Sequence, residues 1–461
     1  MTDSQPVPRA LGVVGAGTMG AGIAQLGCLA GIDTYLHDPF PEALERGGER
    51  VHRGLARGVE RERWSEQEGT DAEARLVLAG SLEELSECDM VIEAAPERVE
   101  LKRELFERLS EVCGPDTVIG TNTSSILITG LASAAERPEN VVGMHFFNPP
   151  PAMRLLEVIA AAQTGERALG MARATGEAMG KRVIVASDGP GFLVNRCGRP
   201  FGAEALRLLQ ERVATHEQID RVCRLGGGFR MGPFELMDLV GIDVGFEVAK
   251  SFDAQSFGEP RWKPNVLQAR MVAAGLLGRK TGAGWYEYPE GEPHRPEDPP
   301  QPVAGGGSGR RVAIDGAGEL ALRLRDRARA AGFDAREPSE FGGEEEPELV
   351  LDASVPAPVS DLGLTAGGEV PTALICADRS LGAWGEPLAV GFHLLPPLDH
   401  VKLVELTRLP TTPDETCTEL EGFFRALGLE PEWVGDAPGL VLGRIVCQLV
   451  NEAAFAIGEG V

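Results

Sequence analysis

Apolar positions along this chain fall first into a strand and helix alternation and then into helical spacing alone. A short apolar run at 11–15 ends in the glycine string GAGTMG. Residues 21–30 place Ile23, Leu26 and Leu29 on one helical face, and 33–37 reads as a second strand ending at Asp38. Strand, glycine turn, helix, strand, acid is the order of a parallel βαβ unit. Residues 42–68, rich in charge and helix formers, predict a helical hairpin, and further strands are expected at 90–93, 117–121 and 141–145. To about residue 187 the pattern predicts a doubly wound α/β domain. From residue 191 the period becomes that of long amphipathic helices, expected at 197–211, 216–225 and 233–250, with no alternating strand pattern between them.

The pattern then starts again. GMHFFNPPPAMRLLEVI at 143–159 returns as GFHLLPPLDHVKLVEL at 391–406, and His145 and Glu157 keep the same separation as His393 and Glu405. Residues 391–461 run without a gap against 143–213, so DGPGFLVNR from Asp188 faces DAPGLVLGR from Asp436, and Glu204 faces Glu452. Upstream, LGVVGAG at Leu11 matches VAIDGAG at Val312, AGID at Ala30 matches AGFD at Ala331, and MVIEAA at Met90 matches LVLDAS at Leu349, with gaps. Repeats so far apart are whole domain units rather than solenoid turns. The expected fold class is α/β plus α. A Rossmann-type doubly wound sheet (1–187) and an all-helical domain (188–288) precede a proline- and glycine-rich linker (289–310), stiff at its proline half and flexible at its glycine half. A degenerate second Rossmann-like copy (311–434), with an acidic loop at 342–348, and a truncated helical segment (435–461) follow.

Composition narrows the partners. With 461 residues and 43% hydrophobic positions the chain is long enough for ordinary cores, without help from disulfides or metals. Seventy acidic against 44 basic residues give a net charge of −26, which disfavours nucleic acid or an anionic membrane as a bulk partner. The eight cysteines form no CxxC pair and no metal-ligand spacing, so no metal is expected and a reducing compartment is. Neither an apolar signal core nor an apolar run of membrane-spanning length is present, and a cytoplasmic location is expected.

The chemistry sits at the strand ends. In GAGTMG, Gly15 permits the tight turn, Gly17 lets a pyrophosphate approach the backbone and Gly20 allows close helix-to-strand packing, while the following helix turns its free N–H groups toward phosphate. Asp38 is suited to accept hydrogen bonds from ribose hydroxyls and to repel a 2′-phosphate, so NAD is expected over NADP; its plainer reading is a cap before Pro39. His145 follows an apolar strand at the carboxyl edge of the sheet. With Glu157 on one imidazole nitrogen, the other is free to exchange a proton with a hydroxyl losing hydride; the plainer reading of Glu157 is a solvated charge beside Arg154. Ser124 in TNTSSI and Asn195 in PGFLVNR supply a hydroxyl and an amide suited to a substrate oxygen, and each is otherwise a turn or cap residue.

Through GAGTMG, VIEAAPE, NTSSI, HFFNPPPAM, LLEVI, DGPGFLVNR, GGFRMGPFELMDLVG and GRKTGAGWY, residues 11–288 resemble the NAD-dependent 3-hydroxyacyl-CoA dehydrogenase family. The resemblance implies reversible oxidation of (S)-3-hydroxyacyl-CoA to 3-oxoacyl-CoA, with His145 and Glu157 as the catalytic pair and Ser124 and Asn195 holding the 3-oxygen. It also implies that Thr18, Met19, Glu97, Lys102, Asn148 and Lys280 line the NAD site with the glycines and Asp38, and that the helical domains form a homodimer. Where the family contacts coenzyme A through a serine and a lysine, this chain has Gly54 and Arg61; Arg53, Arg57 and Arg61 remain to pair with the anionic coenzyme. Two alternatives stay open: a dehydrogenase of a free hydroxy acid or sugar acid, and a nucleotide-binding member without turnover.

The second copy resembles that of longer two-copy members, including those of phenylacetate breakdown. It has lost the third glycine to Ala321, carries Glu319 where Thr18 faces phosphate, and places Ser339, Arg379 and Gly443 opposite Asp38, Ser124 and Asn195. A carboxylate at the helix start opposes pyrophosphate. A non-catalytic structural unit is expected.

Overall fold

The computed structural model describes residues 7–291, 293–342, 345–355 and 370–461; positions 343 and 344 of the acidic loop lie outside these. The chain divides into two compact units, Met1–Arg196 with Phe455–Val461, and Cys197–Ala454.

The first unit is built on an eight-stranded sheet. Its strands are β1 (Ala10–Val14), β2 (Asp33–His37), β3 (Leu76–Ala79), β4 (Met90–Glu93), β5 (Val118–Thr121), β6 (Val141–Phe146), β7 (Leu155–Ala160) and β8 (Arg182–Ser187). They lie in the order β3-β2-β1-β4-β5-β6-β7-β8, parallel throughout except for the β6–β7 pair. The order reverses between β1 and β4, and in open α/β sheets the crevice above such a reversal is where ligands bind. Two apolar cores cover the two faces, one holding Leu11, Ile23, Leu36, Val51 and Met144, the other Val91, Phe106, Leu109 and Val141. The expected hairpin is the helix Pro41–Glu60 followed by Glu66–Glu73, the second started by a capping box between Ser65 and Glu68. Sequence patterning does not reveal β3, whose Val77 and Leu78 are exposed at the sheet edge and show no alternation.

The second unit repeats the sheet with seven strands: β9 (Arg311–Asp315), β10 (Asp334–Arg336), β11 (Leu349–Asp352), β12 (Thr372–Ile375), β13 (Val390–His393), β14 (Leu403–Arg408) and β15 (Glu430–Trp433). Their order is β10-β9-β11-β12-β13-β14-β15, again with one antiparallel pair, β13–β14. Among the described residues no counterpart of the helical hairpin or of β3 lies between β10 and β11, which are separated by far fewer residues than β2 and β4. The helical segment that follows the first sheet in sequence shares a core with this second sheet: Ala205, Leu208, Phe234 and Tyr286 pack with Leu374, Cys376, Leu403 and Leu442.

Two details of that segment depart from the sequence pattern. The helix expected at 233–250 is two helices, Pro233–Val240 and Ile242–Gln255, because Gly241 takes a φ of +103°, which side chains disfavour and a helix excludes. The proline- and glycine-rich stretch is anchored rather than free. His294 and Arg295 bond Glu235, Asp298 accepts from Arg224 at 2.6 Å, and Gln301 donates to the carbonyl of Gly428 at 2.6 Å. Composition registers the prolines and misses these scattered polar anchors. No helix among the described residues is long and apolar enough to cross a membrane.

Candidate active site

The dinucleotide turn leaves β1 at Gly15, whose φ of +103° and closeness to the Ala94 carbonyl admit no side chain. A Cβ on Gly20 would lie 1.7 Å from the Gly15 carbonyl oxygen, so the helix Thr18–Leu29 rests directly on the turn. Gly17 and Thr18 are exposed, and nothing stands within 4 Å of where a Gly17 side chain would begin. Neither a capping side chain nor a first-turn acid occupies that helix start, so its N–H groups face open space, the arrangement that takes a pyrophosphate. Met19 is half-buried and packs against the core. Asp38 stands just past β2; its carboxylate accepts from the Ala16 N–H at 2.9 Å and the Phe40 N–H at 3.1 Å. It thus caps the glycine turn.

Sequence reasoning missed Arg50, which donates to the Ala16 carbonyl at 3.3 Å and brings a cation to the glycine turn. The signal was available, because Arg50, Arg53, Arg57 and Arg61 recur at helical spacing on Pro41–Glu60 and its end. Arg53 meets Glu49 at 3.5 Å, and Arg57 and Arg61 are exposed. A Cβ at Gly54 would lie 2.2 Å from Oε1 of Gln25, so a side chain there would require the Gln25 amide to shift.

The equal spacing of the two histidine and glutamate pairs is a hairpin register. His145 on β6 stands directly opposite Glu157 on β7, as His393 on β13 stands opposite Glu405 on β14. Opposed residues of an antiparallel pair point to the same face. Nδ1 of His145 meets Oε2 of Glu157 at 2.6 Å, with both side chains buried. The other oxygen of Glu157 accepts from the Leu193 and Val194 N–H groups at 3.1 and 2.8 Å, at the start of the helix Val194–Gln210, whose first turn carries the half-buried Asn195. Glu157 is therefore not the solvated charge of its plainer reading; it is fully enclosed. Phe147 and Phe192 flank the imidazole, with ring centroids 4.6 and 5.7 Å away.

Ser124 is held from below. Glu97 accepts from Thr123 Oγ1 at 2.6 Å, the Ser124 N–H at 2.9 Å and Ser125 Oγ at 3.0 Å. Burial pushes the Glu97 carboxyl up, but Lys102 and these hydrogen bonds win and hold it below the usual carboxylate range. Lys102 is buried, bonding Glu93 at 2.6 Å and Glu97 at 3.3 Å. Asn122 was not singled out from the sequence; its side-chain oxygen accepts from the Phe146 N–H at 2.9 Å and ties the serine loop to the histidine strand. Asn148 is exposed in the turn after β6. Lys280 pairs with Asp243 at 2.5 Å in the second unit, and that hydrogen bond holds the Asp243 carboxyl below its usual range.

The second copy differs at each counterpart. Glu319 starts the helix Glu319–Ala330 at an exposed position, and buried Ala321 abuts Gly316. Arg379 stacks over Trp384. Both oxygens of Glu405 accept backbone N–H groups of Val441 or Leu442, the His393 to Glu405 separation is 3.5 Å, and among the described residues Nδ1 of His393 has no hydrogen-bond partner.

Sequence models of the 3-hydroxyacyl-CoA dehydrogenase NAD binding domain and C-terminal domain match residues 10–189 and 191–288. The chain is 41% identical over 280 residues to 3-hydroxyadipyl-CoA dehydrogenase of Escherichia coli K12, a match spanning 61% of this chain and 59% of that protein. It is 39% identical to 3-hydroxybutyryl-CoA dehydrogenase of Bradyrhizobium diazoefficiens over 62% of this chain and 98% of that one. Among solved structures, 3-hydroxybutyryl-CoA dehydrogenase of Escherichia coli K12 superposes with a TM-score of 0.81 at 30% identity, covering 99% of this chain and 86% of that one. (S)-3-hydroxybutyryl-CoA dehydrogenase of Ralstonia eutropha follows with a TM-score of 0.60 at 38% identity, covering 61% and 100%. With the open glycine turn and the enclosed histidine–glutamate pair on one sheet edge, these matches establish that the chain belongs to the 3-hydroxyacyl-CoA dehydrogenase family, NAD-dependent oxidoreductases.

Proposed function

We propose that this protein oxidises (S)-3-hydroxyacyl-CoA esters reversibly to 3-oxoacyl-CoA, with His145 as the proton acceptor. The observation that carries the reading is the 2.6 Å bond between Nδ1 of His145 and an enclosed Glu157 carboxylate. That bond fixes the tautomer, leaves Nε2 to take the 3-hydroxyl proton, and stabilises the imidazolium that results. Bound NAD supplies the hydride acceptor. The open Gly17 approach, the uncapped helix start and Asp38 are the groups that fit it. Ser124 and Asn195 hold the 3-oxygen as the C3–H bond breaks and, in reverse, as the ketone oxygen gains charge. Arg53, Arg57 and Arg61 receive the anionic coenzyme.

The second copy is read as non-catalytic, since Glu405 is committed to backbone and Glu319 stands in the phosphate path. A homodimer through the helical segment has an apolar face available in exposed Leu236, Leu239, Val240 and Val244.

The test is NADH formation from (S)-3-hydroxybutyryl-CoA and NADH consumption with acetoacetyl-CoA by the full chain. A folded sample that binds NADH yet turns over neither would refute the reading in favour of a non-catalytic binder. Equal turnover of the free hydroxy acid would replace it with a free-acid dehydrogenase.

A further inference from the structure

The segment Phe455–Val461 is part of copy two in sequence, yet it belongs to the compact unit that carries His145. Polar contacts fasten it there. Ser187 Oγ, at the end of β8, donates to the Gly460 carbonyl at 2.8 Å, and the Arg196 guanidinium donates to Oε2 of Glu459 at 2.7 Å. Arg196 is only 3% exposed whereas Glu459 is 47% exposed, so the segment brings a carboxylate to an enclosed cation. A guanidinium removed from water is tolerated only where anionic or carbonyl oxygens receive its N–H groups.

The place of Arg196 gives this contact a consequence. Arg196 follows Asn195 in the first turn of Val194–Gln210, and the N–H groups of Leu193 and Val194 at that turn donate to the carboxylate that holds His145. One helical turn is thereby gripped at two points, by Glu157 from the sheet and by Glu459 from the second copy. The grip recurs in the duplicate. Arg444, aligned with Arg196, donates to Glu211 at 2.6 Å, and Glu211 is aligned with Glu459. Arg444 also donates to Glu204 at 2.8 Å, so copy one supplies glutamates to Arg444 as copy two supplies Glu459 to Arg196.

We propose that Glu459 is a positioning residue for the reaction: through Arg196 it sets the turn bearing Asn195 against the Glu157–His145 pair, and this is what the second copy contributes to turnover. The inference rests on the reading of His145, Glu157 and Asn195 given above. A misplacement of a substrate-holding amide by a fraction of an ångström is enough to slow chemistry without weakening cofactor binding.

The experiment compares the full-length protein with Glu459→Gln, Glu459→Asp and His145→Gln. Glu459→Gln is expected to lower kcat about tenfold or more, with the KM for NADH and the melting temperature unchanged, and Glu459→Asp, which keeps the charge, to recover most of the loss. The double exchange Arg196→Glu with Glu459→Arg serves as a second check and is expected to turn over faster than Arg196→Glu alone. Wild-type kcat in Glu459→Gln, or a loss that tracks a lowered melting temperature and is not recovered by aspartate, would overturn the inference. If His145→Gln also turned over normally, the underlying reading would fall instead, so the two failures are distinguishable.

Discussion

A Cβ added to Gly443 would lie 2.7 Å from Nε2 of His393. The helix Leu442–Gly458 therefore presses its backbone onto the ring at the place where copy one carries Asn195 at the start of Val194–Gln210. His393→Ala is expected to leave turnover within about twofold of wild type, whereas Gly443→Asn should lower the melting temperature, since overpacking typically costs about 1–3 kcal/mol. Turnover assays and thermal melts on both variants check this, and loss of activity in His393→Ala would show the second copy to be catalytic.

Glu157 divides its carboxylate between one imidazole and two backbone N–H groups. Glu157→Gln is expected to reduce kcat roughly a hundredfold, within the range of general acid–base contributions. NADH affinity, read by fluorescence titration, should stay at the wild-type value.

Asp38 binds the turn at Ala16 and faces the glycine loop. Asp38→Ser keeps a hydroxyl acceptor for the turn and removes the charge that repels a 2′-phosphate. The ratio of kcat/KM for NAD over NADP should fall by about tenfold or more. An unchanged ratio would place cofactor discrimination elsewhere.

Reversing Arg53, Arg57 and Arg61 to glutamate should raise the KM for acetoacetyl-CoA about tenfold at low salt, consistent with a few tenths to one kcal/mol for each exposed pair. The KM for NADH should not move, and the effect should shrink as salt is added.

Glu97 has its folded-state pKa held below the unfolded value. Its contribution to stability is thus complete above the unfolded pKa of about 4.3 and is lost as pH falls through the depressed folded value. Melting temperature followed during acidification should show this acid limb in the wild type and a shallower one in Glu97→Gln. Identical acid limbs would mean that the serine loop does not depend on this carboxylate.

The βαβ start, the acid after β2, the duplicated histidine and glutamate and the decay of the second glycine turn were all legible in the linear pattern. Each depends on local backbone geometry or on a short register, and such features leave a period or a spacing in the residues themselves. The interval between His145 and Glu157 is a hairpin register, so it survives in copy two even where Asn195 has become Gly443. What the line of residues did not disclose depends on partners far apart along it. Lys102 is a plain lysine on an amphipathic helix until the fold seals it against Glu93, and Glu459 looks like any surface acid until folding brings it to Arg196. Likewise Tyr286 and Leu403 carry no mark of sharing one core. Burial and long-range ion pairing are set by how elements pack in space, and no periodicity along the chain encodes which distant side chain will complete them.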